Sequence, residues 1–385
     1  MKRYDYIIAG GGAAGLSLTH HLAHSPLREQ SILIIDRQVK NRNDHTWCVW
    51  TREPSYLDDL ACRRWEQLAF FGSRGERHIK LQPYRYLMVR SADFYRSMRQ
   101  NLESLPNIDF ALGDVERITD TPDGVEVSAN GLTLQGKWAF DSRYQAGDYR
   151  PLTPNHRYLY QHFLGQIVET ERPTFDPSLP HWFDFRTPQH KSMRFVYLLP
   201  LSERRALIEY TVFSDSLLPQ AEYRAALQQY IATVLRTDAA RVEDEEQGLI
   251  PMTDYPFPRR SGQHILNIGT RGGRVKPSSG FAFMRIQRDS EAIVASLLAH
   301  DHPFNLAESP KRYRTFDAML LQILLRRGDL GASVFGSLLH NNPIDRVFRF
   351  LDEEGNWGDN LKVMASVPPW PFIRAWLQVR LRRRP

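Results

Sequence analysis

The stretch YDYIIAGGGAAG, residues 4–15, constrains this chain more than any other. Residues 4–9 are a short, largely apolar run that reads as a buried strand. Gly10, Gly12 and Gly15 follow at G-x-G-x-x-G spacing, with Ala13 opening a helix that should run to about residue 24. SILIID, residues 31–36, is a second buried strand. Strand, helix, strand in this order is a βαβ unit and requires a parallel sheet. In such a unit Gly10 permits the tight turn, Gly12 lets the backbone approach a pyrophosphate, and Gly15 lets the helix pack close to the sheet. The helix N-terminus then faces the phosphates. Asp36 comes 21 residues after Gly15, placed to hold a ribose hydroxyl pair. Gly10, Gly12, Ala13, Gly15 and Asp36 are therefore the candidate dinucleotide ligands. FAD and NAD both satisfy this motif, and Arg37 leaves room for NADP.

The remaining pattern surrounds this unit with other material. At 385 residues the chain is long enough for two interleaved domains. Residues 91–105 read as a helix with Ser91 as N-cap, IDFALGDVERI and GVEVSA as strands, and WAFDSR as the end of another. From about residue 151 aromatics and prolines become frequent. There MRFVYLLPL and RALIEYTVF, joined by a polar turn, read as an antiparallel hairpin. AEYRAALQQYIATVL is an amphipathic helix, HILNIGTRGG runs from a strand into a glycine loop, and the remainder is mostly helical. The expected fold is α/β, a Rossmann-like nucleotide-binding domain with an inserted antiparallel β-rich substrate domain and C-terminal helices. The expected boundaries are 1–75, 85–150 and 256–310 for the nucleotide domain, 76–84 and 151–255 for the substrate domain, and 311–385 for the helical region.

Composition excludes several function classes. Two cysteines, Cys48 and Cys62, form no CxxC pair, which argues against a disulfide framework or thiolate metal site and fits a reducing cytoplasm. The acids and histidines show no metal-ligand spacing, and no G-x-S-x-G or Cys/His arrangement points to acyl transfer. A net charge of +6 is mild and calls for no nucleic-acid partner. No signal peptide and no run of 18 apolar residues is visible. The end of the chain, PWPFIRAWLQVRLRRRP, interleaves aromatic and basic groups. It reads equally as a helix lying on an anionic membrane surface and as a docked helix with a solvated arginine tail.

One acid is conspicuous. In RALIEYTVF, alternation places Ala206, Ile208, Tyr210 and Val212 on one face and Leu207, Glu209, Thr211 and Phe213 on the other. A carboxylate between Leu207 and Phe213 is costly unless paired, hydrogen-bonded or protonated. An ion pair with Arg194 across the hairpin is the structural explanation.

The glycine loop, NRNDHTWCVW, WAFDSR, LPLSERRALIEYT and IGTRGGRVKPSSGFAF together resemble the bacterial lycopene β-cyclases from Tyr4 to about residue 300, and RVFRFLDEEG adds to the likeness. The resemblance implies a fold like the flavoprotein hydroxylases with FAD bound noncovalently, active when reduced, and NADPH as the electron source. It implies cofactor contacts from His45 in the HTW segment, from Asp141, and from Gly269, Gly272, Gly273 and Gly280 in the late glycine loop. Arg143, beside Asp141, braces the flavin or only forms an ion pair with it. Where the wider flavoprotein group carries an aspartate after the first glycine of that loop, this chain has Thr270. The implied reaction is redox-neutral cyclisation of the ψ ends of lycopene to β-ionone rings, giving β-carotene via γ-carotene. The expected substrates are lycopene and other acyclic carotenoids, and the expected place of work is the cytoplasmic side of the membrane surface. A carboxyl in apolar surroundings has a raised pKa and serves as a general acid. Glu209 stands where the family has the glutamate of its L-I-E strand, so it is the expected catalytic acid or base. Phe195, Tyr197, Tyr210 and Phe213 suit both a polyene channel and an ordinary core. The alternatives are an FAD-dependent monooxygenase or other oxidoreductase acting on an apolar substrate, which Thr270 disfavours, and a non-catalytic carotenoid binder, which has no use for Glu209.

Overall fold

The computed structural model describes residues 2–145, 156–237 and 240–382. The chain divides into two compact units, each made of three segments. The first comprises Met1–Asn43, Arg90–Asp148 and Tyr255–Glu308. The second comprises Asp44–Val89, Tyr149–Asp254 and Ser309–Pro385. The HTW segment and the C-terminal helices thus cluster with the β-rich middle of the chain. The expected division differs in placing residues 44–75 and 85–89 with the nucleotide unit and in holding 311–385 apart. Its boundary at 150/151 lies outside the described residues.

The first unit is built on the strand Arg3–Ala9, which pairs in parallel with Ile32–Asp36 on one side and Leu132–Asp141 on the other. Its apolar residues are buried on both faces, as a central parallel strand requires (Ile7, Ile8 and Ala9 are 0% exposed). Ile108–Leu112 extends the parallel sheet beyond Ile32–Asp36, and Ile265–Asn267 pairs in parallel with the end of Leu132–Asp141. Gly124–Ala129 and Val115–Thr121 close the other edge antiparallel. The stretch IDFALGDVERI is two strands because Gly113 turns the chain between them, its N–H bonded to the Asp36 carbonyl (2.9 Å). The helix Ala13–Ala23 follows the first strand, and its Ser17 accepts a hydrogen bond from Gln287 of the helix Phe283–His300 (2.8 Å). The helix Ser91–Glu103 starts one residue earlier than expected. Arg90 is its N-cap and Ser91, fully buried, is already helical, so the serine does not cap.

In the second unit a seven-stranded sheet runs in the order Ala240–Thr253, Tyr158–Thr170, Arg205–Ser214, Met193–Pro200, His181–Asp184, Gln67–Gly72, Gly75–Lys80. The expected hairpin is present, with Tyr197 opposite Glu209 and Arg194 opposite Val212. One face of the sheet carries Leu164, Val196, Ile208, Tyr210 and Val212, packed against Tyr223, Leu227 and Tyr230 of the helix Gln220–Tyr230. A three-stranded sheet orders Thr46–Thr51, Arg85–Arg90 and Ala61–Trp65. Five helices from Lys311–Arg327 to Pro369–Arg382 complete the unit. Among the described residues no helix is long and apolar enough to cross a membrane.

Candidate active site and nucleotide loop

The two glycine loops meet within the first unit. Gly10 adopts φ +107°, and a Cβ there would lie 2.2 Å from Ser142 Oγ, which donates to the Ala9 carbonyl. A Cβ on Gly15 would stand 2.0 Å from the Gly10 carbonyl oxygen, so only glycine lets the helix start this close to the strand. Gly12 differs, since a Cβ there would meet nothing within 4 Å. It is also the N-cap of the helix Ala13–Ala23, which has neither a side-chain cap nor an acidic residue in its first turn. The positive end of the helix therefore opens onto a space that a side chain would fill, which fits a pyrophosphate. Asp36 receives the N–H of Gly11 (2.7 Å) and of Gln38 (3.0 Å), fixing it at the end of its strand. Around it Gly11, Ile34, Val39, Tyr95 and Phe110 line a pocket together with Gln38, Lys40 and Arg99, apolar surface beside polar and charged groups, which suits an adenosine.

The second loop leaves the strand Ile265–Asn267. Gly269 takes φ +59° and lies so close to the first helix that a Cβ would be 2.8 Å from that of Ala14. Gly272, Gly273 and Gly280 carry this loop back toward the helix Phe283–His300. Asp141 is buried and occupied. It accepts from Arg143 Nε and Nη2 (2.9 Å each) and pairs with Arg271 Nε at 3.1 Å. It therefore ties the end of the central strand to the late glycine loop through two arginines. His45 belongs to the second unit, where its Nδ1 lies 3.1 Å from Asp44 and its ring stacks on Trp47.

The acid site is built on the second sheet. The pleat puts Leu207, Glu209, Thr211 and Phe213 on one face, as their alternation predicts, and every one of them is buried. Glu209 is not paired with Arg194. The pleat turns Arg194 to the other face, where it donates to Tyr210 Oη (3.1 Å) and Glu222 Oε1 (2.9 Å). What lies beside Glu209 is a second acid. Gly165 is opposite Glu209 on one side and Glu246 on the other, so Tyr197, Glu209, Gly165 and Glu246 form one row across four strands. Residues directly opposite one another share a face of the sheet. Glu246 leans over the glycine, its Cγ only 3.0 Å from where a Gly165 Cβ would be. It is 7% exposed, and its Oε2 accepts from Thr46 Oγ1 (2.7 Å). Glu209 is 8% exposed and accepts from Thr211 Oγ1 (2.6 Å).

These surroundings decide the charge state. Burial, then the like charge of Glu246, pushes the Glu209 carboxyl up to about 8, with the Thr211 hydrogen bond opposing. Glu209 is therefore a neutral, proton-bearing acid at neutral pH. Burial also raises Cys48, Tyr86 and Tyr197, all within electrostatic reach of Glu209, so they too stay neutral. Aromatic rings complete the face. Phe195 contacts Tyr197 (5.1 Å between ring centroids) and Phe213 (5.4 Å), and Phe183 contacts Phe195 (4.8 Å) and Tyr197 (5.4 Å). Tyr210 is on the opposite face and belongs to the helix-packed core. The arrangement is a buried proton donor beside an acid partner and electron-rich rings, the equipment for protonating an alkene and tolerating the cation formed.

Sequence reasoning missed Glu246, Cys48, Tyr86 and Phe183. Glu246 ends the run Glu243, Asp244, Glu245, Glu246, which reads as a solvated edge. The available signal was its period-two spacing to Gly248 on the way into the apolar end of the strand.

Comparison with known proteins gives the family and the fold. A family model described as "Lycopene cyclase protein" matches residues 5–377. A lycopene beta-cyclase from Paracoccus sp. is 29% identical, over 96% of this chain and 95% of that one. Among solved structures, a flavin-dependent brominase superposes with a TM-score of 0.64 at 14% identity, covering 99% of this chain and all of that one. A variant of the halogenase PltM in complex with FAD gives 0.57 at 12% identity, covering 99% and 91%. These structural likenesses establish the fold, that of the FAD-dependent halogenases and monooxygenases.

Proposed function

The chain belongs to the lycopene cyclase family, and from that premise we propose that it closes the ψ ends of lycopene into β-ionone rings, with Glu209 as the proton donor. The observation that carries this reading is the buried, neutral Glu209 carboxyl on an aromatic-lined face. Its proton adds to the terminal double bond of the substrate, and the π electrons of that bond form the new C–H bond. The tertiary cation left behind is attacked by the next double bond inward, which closes the six-membered ring. Transfer of one ring proton to the Glu209 carboxylate that the first step leaves then restores neutrality, so the product is an isomer of the substrate and no net oxidation occurs. Phe195, Tyr197, Phe213 and Phe183 present ring faces or edges where positive charge passes, and burial keeps out the water that would trap it.

The first unit supplies the cofactor site. Gly10, Gly12, Ala13 and Gly15 would hold the pyrophosphate of FAD, Asp36 its ribose, and Gly269, Gly272, Gly273 and Gly280 the approach of the late loop. Asp141 and Arg143 brace that loop. When bound and reduced, with NADPH as electron source, FAD supplies an electron-rich ring system that favours positive charge. His45 and its partner Asp44 stand in the family segment associated with the flavin, and a binding role for His45 rests on that resemblance.

Membrane contact is part of the same reading, because the substrate is a long hydrocarbon. The helix Pro369–Arg382 docks through Phe372, Ala375 and Val379, each 8% exposed or less. Its other side presents Trp370, Ile373, Trp376 and Leu377 to solvent, with Arg380 over the Trp376 ring at 4.4 Å. Apolar anchors beside arginine suit an anionic, cytoplasmic-side lipid surface. Arg383, Arg384 and the side chains of Leu381 and Arg382 lie outside the described residues.

The test is anaerobic incubation of the protein with FAD, dithionite and lycopene in liposomes, with products read by chromatography. Monocyclic and then bicyclic carotene from the wild type, and unchanged lycopene with Glu209→Gln, is the expected result. Equal product from both would remove Glu209 from the chemistry.

A further inference from the structure

The row Tyr197–Glu209–Gly165–Glu246 contains an acid that the proton-donor reading does not use. Two buried carboxyls lie two strands apart, on one face, with only a glycine between them. Adjacent strands are about 4.8 Å apart, so their backbones stand roughly 10 Å from each other. Gly165 puts no side chain of its own between them, and Glu246 leans into that space. A Cβ there would press on Glu246 Cγ at 3.0 Å and on Leu207 Cδ1 at 3.1 Å. Each acid also accepts from a threonine hydroxyl, Thr211 for Glu209 and Thr46 for Glu246.

We propose that Glu246 is the positioning residue that helps burial keep Glu209 protonated: the two carboxyls hold a single proton between them across Gly165, and Glu246 raises the pH up to which the acid works. Two like charges in one buried site do not both ionise near neutrality. The other titratable groups facing Glu209 are Tyr197 from the neighbouring strand, Cys48 from Thr46–Thr51 and Tyr86 from Arg85–Arg90. All three stay neutral across the working range. Glu246 is thus the acid whose ionisation Glu209 feels, and it acts through Glu209.

The proposal rests on the cyclase reading only for its kinetic readout, and two measurements separate them. The first is the pH profile of kcat/KM for lycopene cyclisation. Glu246→Gln removes the like charge and should move the alkaline limb to lower pH by about one unit, while Glu246→Asp, which keeps the charge, should leave the limb near its wild-type position. The second is an infrared titration of the protein without lycopene, following the band of the protonated carboxyl and identifying it by its loss in Glu209→Gln. That band should vanish at lower pH in Glu246→Gln than in wild type. Gly165→Ala, which wedges a methyl against Glu246, serves as a second variant with the carboxyls intact and should shift the same band. A Glu246→Gln enzyme with reduced kcat but an unmoved limb and an unmoved band would overturn the proposal and make Glu246 structural. If the band shifts as expected while no variant or wild type cyclises lycopene, the shared proton stands and the cyclase reading falls.

Discussion

Holding Glu209 neutral should cost the folded protein stability in a way that depends on pH. Its carboxyl rises from 4.5 to about 8 on folding. The folded state therefore binds a proton that the unfolded chain releases anywhere between those values, and stability falls as pH rises through that window. Below 4.5 both states are protonated and the penalty is absent. Each pH unit in the window is worth about 1.4 kcal/mol, so the penalty reaches roughly 3 kcal/mol at pH 7 and roughly 5 kcal/mol above pH 8. Glu209→Gln keeps the shape and the Thr211 hydrogen bond of the neutral acid without its tendency to ionise. Relative to wild type, the variant should gain little at pH 5, about 3 kcal/mol at pH 7 and more at pH 8, while losing cyclase activity. Urea unfolding of both proteins at pH 5, 6, 7 and 8, without substrate, measures this difference. A difference that stays flat across the series would refute the reasoning, because it would mean that Glu209 ionises in the folded state as it does in water.

Other perturbations follow from the same geometry. Gly12→Asp should fold normally, since its side chain enters open space, yet weaken FAD binding by at least about tenfold by placing a carboxylate at the phosphate cradle; flavin fluorescence titration with a melting curve reads both. Gly15→Ala forces a Cβ to 2.0 Å from the Gly10 carbonyl and should cost about 2 kcal/mol or more in unfolding experiments, with FAD affinity falling alongside. Arg194→Ala strips the partner from Tyr210 and from half-exposed Glu222. It should lower stability by about 2 kcal/mol while leaving kcat of the folded enzyme unchanged. Replacing exposed Trp370, Ile373, Trp376 and Leu377 with serine should reduce co-sedimentation with anionic vesicles and leave the melting temperature in place.

How much of this was visible in the chain depends on whether the physics was local. The glycine loop was legible because a strand, a tight turn and a close helix start leave glycine as the only residue for Gly10 and Gly15. Glu209 was legible because its alternation with Leu207 and Phe213 sits within ten residues. Its real neighbour was not, because Glu246 reaches it across an intervening strand, through a register set by the pairing of Gly165. The supposed partner Arg194 failed for the complementary reason. A residue offset by three from the row opposite Glu209 lies on the other face, and a hairpin drawn without its register does not reveal that. The membership of residues 44–89 in the second unit is likewise a matter of tertiary pairing, since Gln67–Gly72 pairs in parallel with His181–Asp184, a strand distant in sequence. Ser91 had the composition of a cap, but its burial at the first helical position left it no capping geometry.

The central step is a proton passing from the protein to carbon. The most direct test is cyclisation of unlabelled lycopene in deuterium oxide, with the product analysed by mass spectrometry. A proton donated by a solvent-exchangeable carboxyl and a different one lost from the ring predicts one deuterium retained per ring closed, in β-carotene as in the monocyclic intermediate. Rings formed without deuterium would contradict the account, for the hydrogen would then have come from the substrate itself or from a non-exchanging donor rather than from Glu209.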